Sequence, residues 1–357
     1  MPELPAGGSL PVISPARSAA KRPATDGRIR VAQVGLGEIG KSCCRVTAGK
    51  KILQLVGAAD IAPDLAGQDL SSLLGIDLPS PMTVFGSIPD LIEAARPDVV
   101  IHTTGSRLET VLPQLEEIIS RSVSCVSSTE ELLVPDYRNP AAAERLGKAA
   151  VKHKAALLGT GVNPGYVLDL LPVVLSGACR RIDSIRASRA VDLATRRQAL
   201  QEKAGVGITR EEFRRKAAAG RMGHVGLMES AVLICRTLGW READLRETIA
   251  PILAREEIRT RKHHVPADFV RGLNHIVRLE QEGQERLYLD LRMNMLEPEP
   301  GDWIEVRGDP KMEFRIPGGM PGDDATAAIL VNTVPILAAA RPGLHTILDL
   351  PAVRYCS

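Results

Sequence analysis

The stretch that decides the fold is residues 29–40, which read IRVAQVGLGEIG. Its first half is an apolar run typical of a buried strand, and its second half has the pattern GxGxxG. In that pattern Gly35 permits a tight turn, Gly37 lets the backbone approach a pyrophosphate, and Gly40 lets helix and strand pack closely. The stretch therefore predicts a strand, a phosphate-binding turn and the start of a helix.

The predicted helix carries Ile39, Cys43 and Val46 at the i, i+4, i+7 spacing of one buried face. Its first turn offers unpaired N–H groups and the positive end of the helix dipole to phosphates. The residues expected to contact a dinucleotide here are Gly35, Gly37, Glu38, Ile39 and Gly40.

An acidic residue, Asp60, ends the next strand-like run, Leu53 to Ala59. A carboxylate in this position accepts hydrogen bonds from the adenosine ribose and repels a 2′-phosphate, and Ile61 and Ala62 bring no arginine to compensate. NAD is therefore the expected cofactor, and NADP stays open as the alternative. The alternative is that the glycines form only a turn and that Asp60 only caps the next segment.

Strand-like and helix-like segments alternate up to about residue 163, which predicts parallel strands joined by helical crossovers in a Rossmann domain over 28–163. The predicted strands lie near 82–85, 98–103, 122–126 and 155–158, and the helices near 88–95, 113–121 and 140–154.

Ligands of such sheets bind at the carboxyl ends of the strands. Three segments arrive there: Thr103-Thr104-Gly105, Ser127 to Glu131, and Gly159 to Gly165 with Asn163. Asn163 has two interpretations. It bonds the nicotinamide carboxamide, or it caps a helix that has Pro164 at its first position.

The sequence texture changes after residue 163. Helical stretches near 165–177 and 209–239, a strand near 182–191 and alternating runs at 255–263, 270–280 and 285–293 predict an α+β domain over 164–322. Its sheet is expected to be mostly antiparallel, with a hairpin at 281–284. A last helix, over 323–340, is expected to return to the first domain within a C-terminal segment, 323–357, and residues 1–27 are expected to form a disordered tail.

Composition excludes several functions. Net charge is +2 and only 3% of residues are aromatic, so we expect no nucleic-acid partner. No apolar run is long enough to span a membrane. Cysteines stand at 43, 44, 125, 179, 235 and 356 without CxxC spacing, which predicts a reducing, cytoplasmic setting and no metal site.

Several segments together give a resemblance to 2,4-diaminopentanoate dehydrogenase and the native NAD(P)-dependent amine dehydrogenases, within the wider dihydrodipicolinate-reductase-like group. The first two segments are generic to Rossmann enzymes, and the later ones are more specific. The segments are VGLGEIGKS (34–42), VGAAD (56–60), HTTGS (102–106), EELLVP (130–135), GVNPGYVLDLLP (161–172), RAVDLATRRQALQEKAGVG (189–207), GHVGLMES (223–230) and GDDATAAILVNTVP (322–335).

The resemblance implies reversible oxidative deamination of a primary amine to a ketone and ammonia, for which a carboxylate near the nicotinamide is the natural general base. The proposed catalytic glutamate of that family corresponds to Glu109. A capping box from Ser106 to Glu109 is the alternative, but it would place Pro113 inside the helix, so we expect the helix to begin at Thr110. Glu131 is the second candidate for the general base, and the alternative is that its charge only stabilises a helix terminus.

The substrate contacts are less defined. A carboxylate clamp by Arg196, Arg197 and Lys203 competes with a solvated helix face, and the sequence leans slightly towards broad amine specificity. His224, Tyr166 and Thr326 are further candidates, and His224 is more often a packed or capping residue. A homodimer through the second sheet is expected.

Two other functions stay open. A cyclic imine reductase like dihydrodipicolinate reductase would need no ammonia, although the His-rich stretch usual in those enzymes is missing. A non-catalytic NAD-binding redox sensor would bind the cofactor without turnover, and no helix-turn-helix or basic patch supports it.

Overall fold

A computed structural model describes residues 27–196, 198–260 and 264–357, except for the side chains at 195 and 199. The expected tail therefore lies outside the described residues apart from Gly27, and so does Arg197. Two β-sheets with helices packed against them make up the described chain, and a two-stranded ribbon accompanies them.

The first sheet contains six strands, all parallel, in the order β14-β5-β4-β3-β1-β2. Strands β3, β4 and β5 are buried along their whole length, as expected for a parallel sheet covered on both faces. The strands are β1 (Ile29–Val34), β2 (Leu53–Ala59), β3 (Val99–His102), β4 (Ser124–Ser127), β5 (Ala156–Gly159) and β14 (Gly343–His345).

Helices cover this sheet on both faces. The last helix, α11, packs along α1 and against β3, β4 and β5, so the predicted return of the chain to the first sheet is confirmed. The helices associated with the sheet are α1 (Glu38–Ala48), α2 (Leu70–Leu74), α3 (Ile88–Ala95), α4 (Leu108–Ser120), α5 (Pro135–Arg138), α6 (Pro140–Lys152) and α11 (Gly322–Ala338).

The second sheet has the order β13-β12-β6-β11-β10-β7, and only its β6–β11 pair is parallel, so the predicted, mostly antiparallel sheet is confirmed. The hairpin expected at 281–284 is also present, because Glu282 and Gly283 both have positive φ between paired Gln281 and Gln284. The strands are β6 (Arg181–Asp192), β7 (Leu245–Leu253), β10 (Val270–Gln281), β11 (Gln284–Asn294), β12 (Gly301–Asp309) and β13 (Met312–Pro317).

One face of the second sheet packs against α7 and α10, which contact each other. The helices of this region are α7 (Leu170–Ser176), α8 (Gln198–Lys203), α9 (Arg210–Ala218) and α10 (Leu227–Leu238), and the ribbon consists of β8 (Ile258–Arg259) and β9 (His264–Val265).

Two predicted elements were wrong. The run 82–85 forms only isolated bridges, in which Phe85 pairs with Ala59 and Thr83 with Asp69. The helical stretch over 209–239 is divided into α9 and α10, because glycines with positive φ at 220, 223 and 226 interrupt it. The sequence also did not predict α2, α5, β7, β12, β13 or β14. Of the run predicted at 255–263, Ile258–Arg259 forms a strand, and 261–263 lie outside the described residues.

Candidate active site

The glycine-rich turn has the geometry of a phosphate cradle. Gly35 has φ +88°, and a Cβ there would lie 2.8 Å from the Thr103 carbonyl oxygen; at Gly40 it would lie 1.9 Å from the Gly35 carbonyl oxygen. At Gly37, in contrast, a Cβ would meet no atom of the described residues within 4 Å. Gly37 precedes α1 and provides no side-chain cap, so the first-turn N–H groups face open space. This space fits a pyrophosphate.

A cavity on one side of this turn suits an adenosine. Asp60 lines it, and no Arg or Lys is present among its described lining residues. The Asp60 carboxylate accepts the Leu36 N–H at 2.6 Å and the Ala62 N–H at 2.9 Å. The capping alternative is therefore partly realised, yet a carboxylate keeps further lone pairs for ribose hydroxyls.

Side-chain hydrogen bonds connect the residues after β3 to the turns that follow the neighbouring strands. The Thr103 hydroxyl donates to the Gly35 carbonyl at 3.1 Å, and the Thr129 hydroxyl donates to the Gly105 carbonyl at 2.9 Å. His102 is fully buried beside Ser127 and the Gln114 amide, and burial lowers its pKa to about 4. Thr103 and Thr104 line the adenosine-side cavity, whereas Gly105 does not.

A second cavity lies between the carboxyl ends of the first sheet and the inner face of the second sheet. Ile39 borders it, while Gly37, two residues earlier, borders the adenosine side. The two cavities thus flank the start of α1, as the two halves of a dinucleotide would. The other described lining residues are Ser128, Glu130, Gly161, Val162, Asn163, Pro164, Arg189, Val191, Arg196, Leu200, His224, Leu291, Met293, Gly322, Asp323 and Thr326.

The turn at Asn163 is held by a buried carboxylate. Asp169 accepts the Gly165 N–H at 2.7 Å, the Leu170 N–H at 2.6 Å and the Ser230 hydroxyl at 2.6 Å. Asp169, and not Asn163, is the cap of α7, so the capping interpretation of Asn163 was wrong. The Asn163 amide oxygen is buried and has no partner among the described residues, which leaves it available to a carboxamide.

Helix α4 begins at Leu108, so the expected start at Thr110 was wrong and Pro113 lies within the helix. The reason is a tertiary cap, because the Glu131 carboxylate accepts the Leu108 N–H at 2.8 Å from a different strand end. Glu109 is exposed on the first turn of α4 and is not among the residues that line the second cavity. Its catalytic role remains a prediction.

Two adjacent glutamates after β4 have different environments. Glu131 is 5% exposed, caps α4 and pairs with Arg107 at 3.4 Å. Glu130 lines the second cavity and accepts the Ser106 hydroxyl at 3.2 Å, and burial raises its pKa. Sequence reasoning placed Glu130 in the correct segment without selecting it; its position directly after a buried strand was the available signal.

The two arginines that line the second cavity differ in their hydrogen-bond partners. Arg189, which sequence reasoning missed, is buried and donates to both Asp302 carboxylate oxygens at 2.8 and 2.9 Å. Arg196 also lines the cavity, and its buried Nε has no partner among the described residues. Lys203 is exposed and is not a lining residue.

The remaining substrate-contact candidates are Thr326, His224 and Tyr166, and they differ in whether they line the second cavity. Thr326 lines the cavity and its hydroxyl oxygen accepts the Val162 N–H at 3.3 Å. His224 also lines the cavity, while Tyr166 is half-buried and does not. Within the described residues there is no cluster of metal-ligating side chains, and no helix is long and apolar enough to cross a membrane.

Comparison with known proteins shows what this architecture is similar to. A curated 2,4-diaminopentanoate dehydrogenase from Acetoanaerobium sticklandii is 28% identical, over 92% of this chain and 94% of the relative. An amine dehydrogenase from Streptomyces virginiae is 25% identical, over 89% and 94%. The solved amine dehydrogenase of Mycobacterium smegmatis superimposes with a TM-score of 0.79 at 26% identity, over 92% and 97%.

A family model shows to which protein family the chain belongs. The model for the 2,4-diaminopentanoate dehydrogenase C-terminal domain matches residues 166–356, which is more than half of the sequence and includes the second sheet and α11. The chain therefore belongs to the 2,4-diaminopentanoate dehydrogenase family.

Proposed function

We propose that the protein is an NAD(P)-dependent amine dehydrogenase, which converts a primary amine and water into a ketone and ammonia and catalyses the reverse amination. The observation that carries the proposal is the position of Glu130, a carboxyl group of raised pKa in a cavity next to the dinucleotide cradle. Membership of the family supports the same reaction.

The cofactor, when bound, supplies the two-electron oxidation of the substrate carbon. Residues of this chain bind and orient the cofactor and exchange protons with the substrate. The N–H groups at the start of α1 bind the pyrophosphate, and the Asn163 amide orients the nicotinamide. Glu130 has Oε1 occupied by the Ser106 hydroxyl, and Oε2 exchanges the protons that the attack of water and the departure of ammonia require. A raised pKa suits a group that must both accept and return a proton near neutral pH.

The expected preference for NAD over NADP is supported by the adenosine-side cavity. The carboxylate of Asp60 would face a 2′-phosphate without an Arg or Lys among the described lining residues to neutralise it.

The proposed substrate class rests on Arg196. Arg189 is paired with Asp302, whereas the buried Arg196 Nε has no partner among the described residues, and this free donor favours a substrate that carries a carboxylate. This shifts the slight preference of the sequence for broad amine specificity towards amino acids with a second amino group or a keto group.

The function is tested by following NADH loss with a ketone, with ammonia, and with both. Loss that requires both is expected. NADH loss with a cyclic imine and no ammonia would support the reductase alternative, and NAD binding without any turnover would support the sensor alternative.

The substrate class is tested with Arg196→Met, using exposed Arg215→Met as the matched control. We expect kcat/KM for an amino-keto acid to fall by about 10-fold or more in Arg196→Met alone, since charge-assisted bonds are worth roughly 1.5–3 kcal/mol, while cyclohexanone is unaffected. Equal rates for cyclohexanone and the amino-keto acid in the wild-type enzyme would contradict the carboxylate proposal.

We also propose the expected homodimer through the outer face of the second sheet. On that face Oδ1 of Asp290 and Oδ1 of Asn274 are buried without partners among the described residues, and burial raises the pKa of Asp290. A second copy would supply partners and cover Ile276 and Tyr288, which share the face. Light scattering should give twice 38.4 kDa for the wild type and about the monomer mass for Ile276→Arg; a monomeric wild type would contradict the proposal.

A further inference from the structure

The turn between α9 and α10 packs closely against the proposed reaction site. Gly226 has φ +108°, and a Cβ there would lie 2.5 Å from the Pro164 ring and 3.1 Å from the Glu130 Cβ. Gly223 has φ +99°, and a Cβ there would lie 2.6 Å from Ile249. Glycine at both ends of the turn is thus what allows His224, between them, to reach the cavity.

The hydrogen bonds of His224 determine which ring nitrogen carries the proton. Nε2 lies 2.9 Å from the Asn163 carbonyl oxygen. Because a carbonyl oxygen can only accept, Nε2 must donate, and in the neutral ring Nδ1 then has a lone pair. Burial lowers the pKa of His224 to about 4, so the ring is neutral at the pH at which an amine dehydrogenase would operate. Among the described residues, no donor binds Nδ1.

A second histidine holds the His224 backbone in place. His275, on β10 and 2% exposed, accepts the His224 backbone N–H at its Nδ1 at 3.2 Å. Its Nε2 must then carry the proton and donates to Glu247 of β7 at 2.9 Å. His275 is therefore a positioning residue, which ties the turn to the rigid second sheet.

We infer that Nδ1 of His224 binds the substrate nitrogen, as an acceptor for an N–H of ammonia, of the amine or of the carbinolamine. The inference rests on the proposed function. In this tautomer Nδ1 can only accept, so it cannot bind the oxygen of a ketone, whereas each of those nitrogen species can donate to it. No proton is transferred to His224; Glu130, on the neighbouring turn, performs the proton exchange.

Two substitutions separate the two ring nitrogens. His224→Gln keeps a donor near the position of Nε2 and removes the Nδ1 acceptor. We expect the apparent KM for ammonia to rise about 10-fold or more, with the KM for the ketone and the Kd for NADH within about twofold of the wild type. His224→Asn places an amide oxygen near the position of Nδ1 and loses the donor to Asn163. It should keep the ammonia KM near that of the wild type and weaken NADH binding instead.

The matched control is His345→Gln, since the His345 Nε2 makes the same kind of bond, to the Arg341 carbonyl at 2.8 Å, and is not among the described residues that line the cavity. It should change none of these constants. Equal effects of the Gln and Asn substitutions on the ammonia KM, or a rise in the ketone KM alone, would overturn the inference. If His224→Gln does not fold, a raised ammonia KM in His224→Asn overturns it as well. A wild type without ammonia-dependent turnover would instead overturn the proposed function.

Discussion

Three glutamates, Glu109, Glu130 and Glu131, show how the same side chain takes different roles in different environments. Glu109 is exposed to water on the first turn of α4. Glu131 is buried, and its carboxylate accepts the Leu108 N–H and pairs with Arg107. Glu130 is half-buried, and desolvation raises its pKa although its own backbone N–H, the charge of Lys203 and the Ser106 hydroxyl act in the opposite direction.

Glutamine substitutions distinguish the three. Because a positioned acid–base group contributes about 10²–10⁴-fold, we expect Glu130→Gln to lower kcat by at least about 100-fold, with NADH affinity unchanged. Glu131→Gln should lower the melting temperature and leave kcat within a few-fold, because it weakens a helix cap. Glu109→Gln is the third variant, and the resemblance predicts the large loss there. A 100-fold loss in Glu109→Gln together with near-normal turnover in Glu130→Gln would contradict the assignment to Glu130.

Asp60 gives a second residue-scale prediction. We expect the wild-type enzyme to have a higher kcat/KM with NADH than with NADPH, and Asp60→Ala to narrow the difference because it removes the repulsion of a 2′-phosphate. The substitution also removes two backbone contacts of the turn, so the melting temperature is measured alongside. Clear preference of the wild type for NADPH would contradict this interpretation of the ribose site.

At the scale of elements, the boundaries of helices depend on partners distant in sequence. Helix α4 starts two residues earlier than local rules indicate, because Glu131 supplies the cap. The turn between α9 and α10 interrupts a helical pattern because its glycines adopt positive φ, and that turn carries His224 into the cavity.

Alanine substitutions test that turn. Gly226→Ala combines left-handed backbone strain with a Cβ that would clash with Pro164. Gly220→Ala has the strain alone, since no atom in the described part of the chain lies within 4 Å of its Cβ. We expect Gly220→Ala to cost about 1–2 kcal/mol of unfolding free energy with normal activity. Gly226→Ala should cost more and also lower kcat, because it displaces Glu130 and Asn163. Equal costs with normal activity in both variants would show that the close approach does not matter for the site.

At the scale of the whole molecule, the reaction site exists only where the two sheets meet. Contacts between α5 and α10 hold them together: Arg138 pairs with the buried Glu229, and Arg236 bonds both Asp136 carboxylate oxygens at 2.8 and 2.9 Å. The charged lining of the cavity comes from both sides, with Glu130 from the first sheet and Arg189 from the second.

Stability of the whole protein should depend on pH through its buried neutral histidines. His102 has a pKa lowered to about 4 by burial, compared with about 6.5 when unfolded. Between these values the unfolded chain binds the extra proton, so this contribution to stability is complete above about pH 6.5 and is lost as the pH falls towards 4, by about 1.4 kcal/mol per pH unit. Urea denaturation at pH 7.5 and pH 5 should show a smaller loss for His102→Gln than for the wild type. Equal losses would mean that His102 does not contribute.

The sequence by itself determined the parallel sheet, the dinucleotide turn, the mostly antiparallel second sheet and the return of the last helix. Local periodicity and glycine spacing can be read from a single segment of the sequence, and the general rules by which strands and helices pack then give these features. Family resemblance added the reaction class. Only the tertiary structure decided that Glu130 lines the cavity while Glu131 caps α4. It also decided that Arg189 pairs with Asp302 while the Arg196 Nε has no partner among the described residues, and which nitrogen of His224 is left to accept. Burial, desolvation and hydrogen-bond partners decide those properties, and they come from residues far apart in the chain.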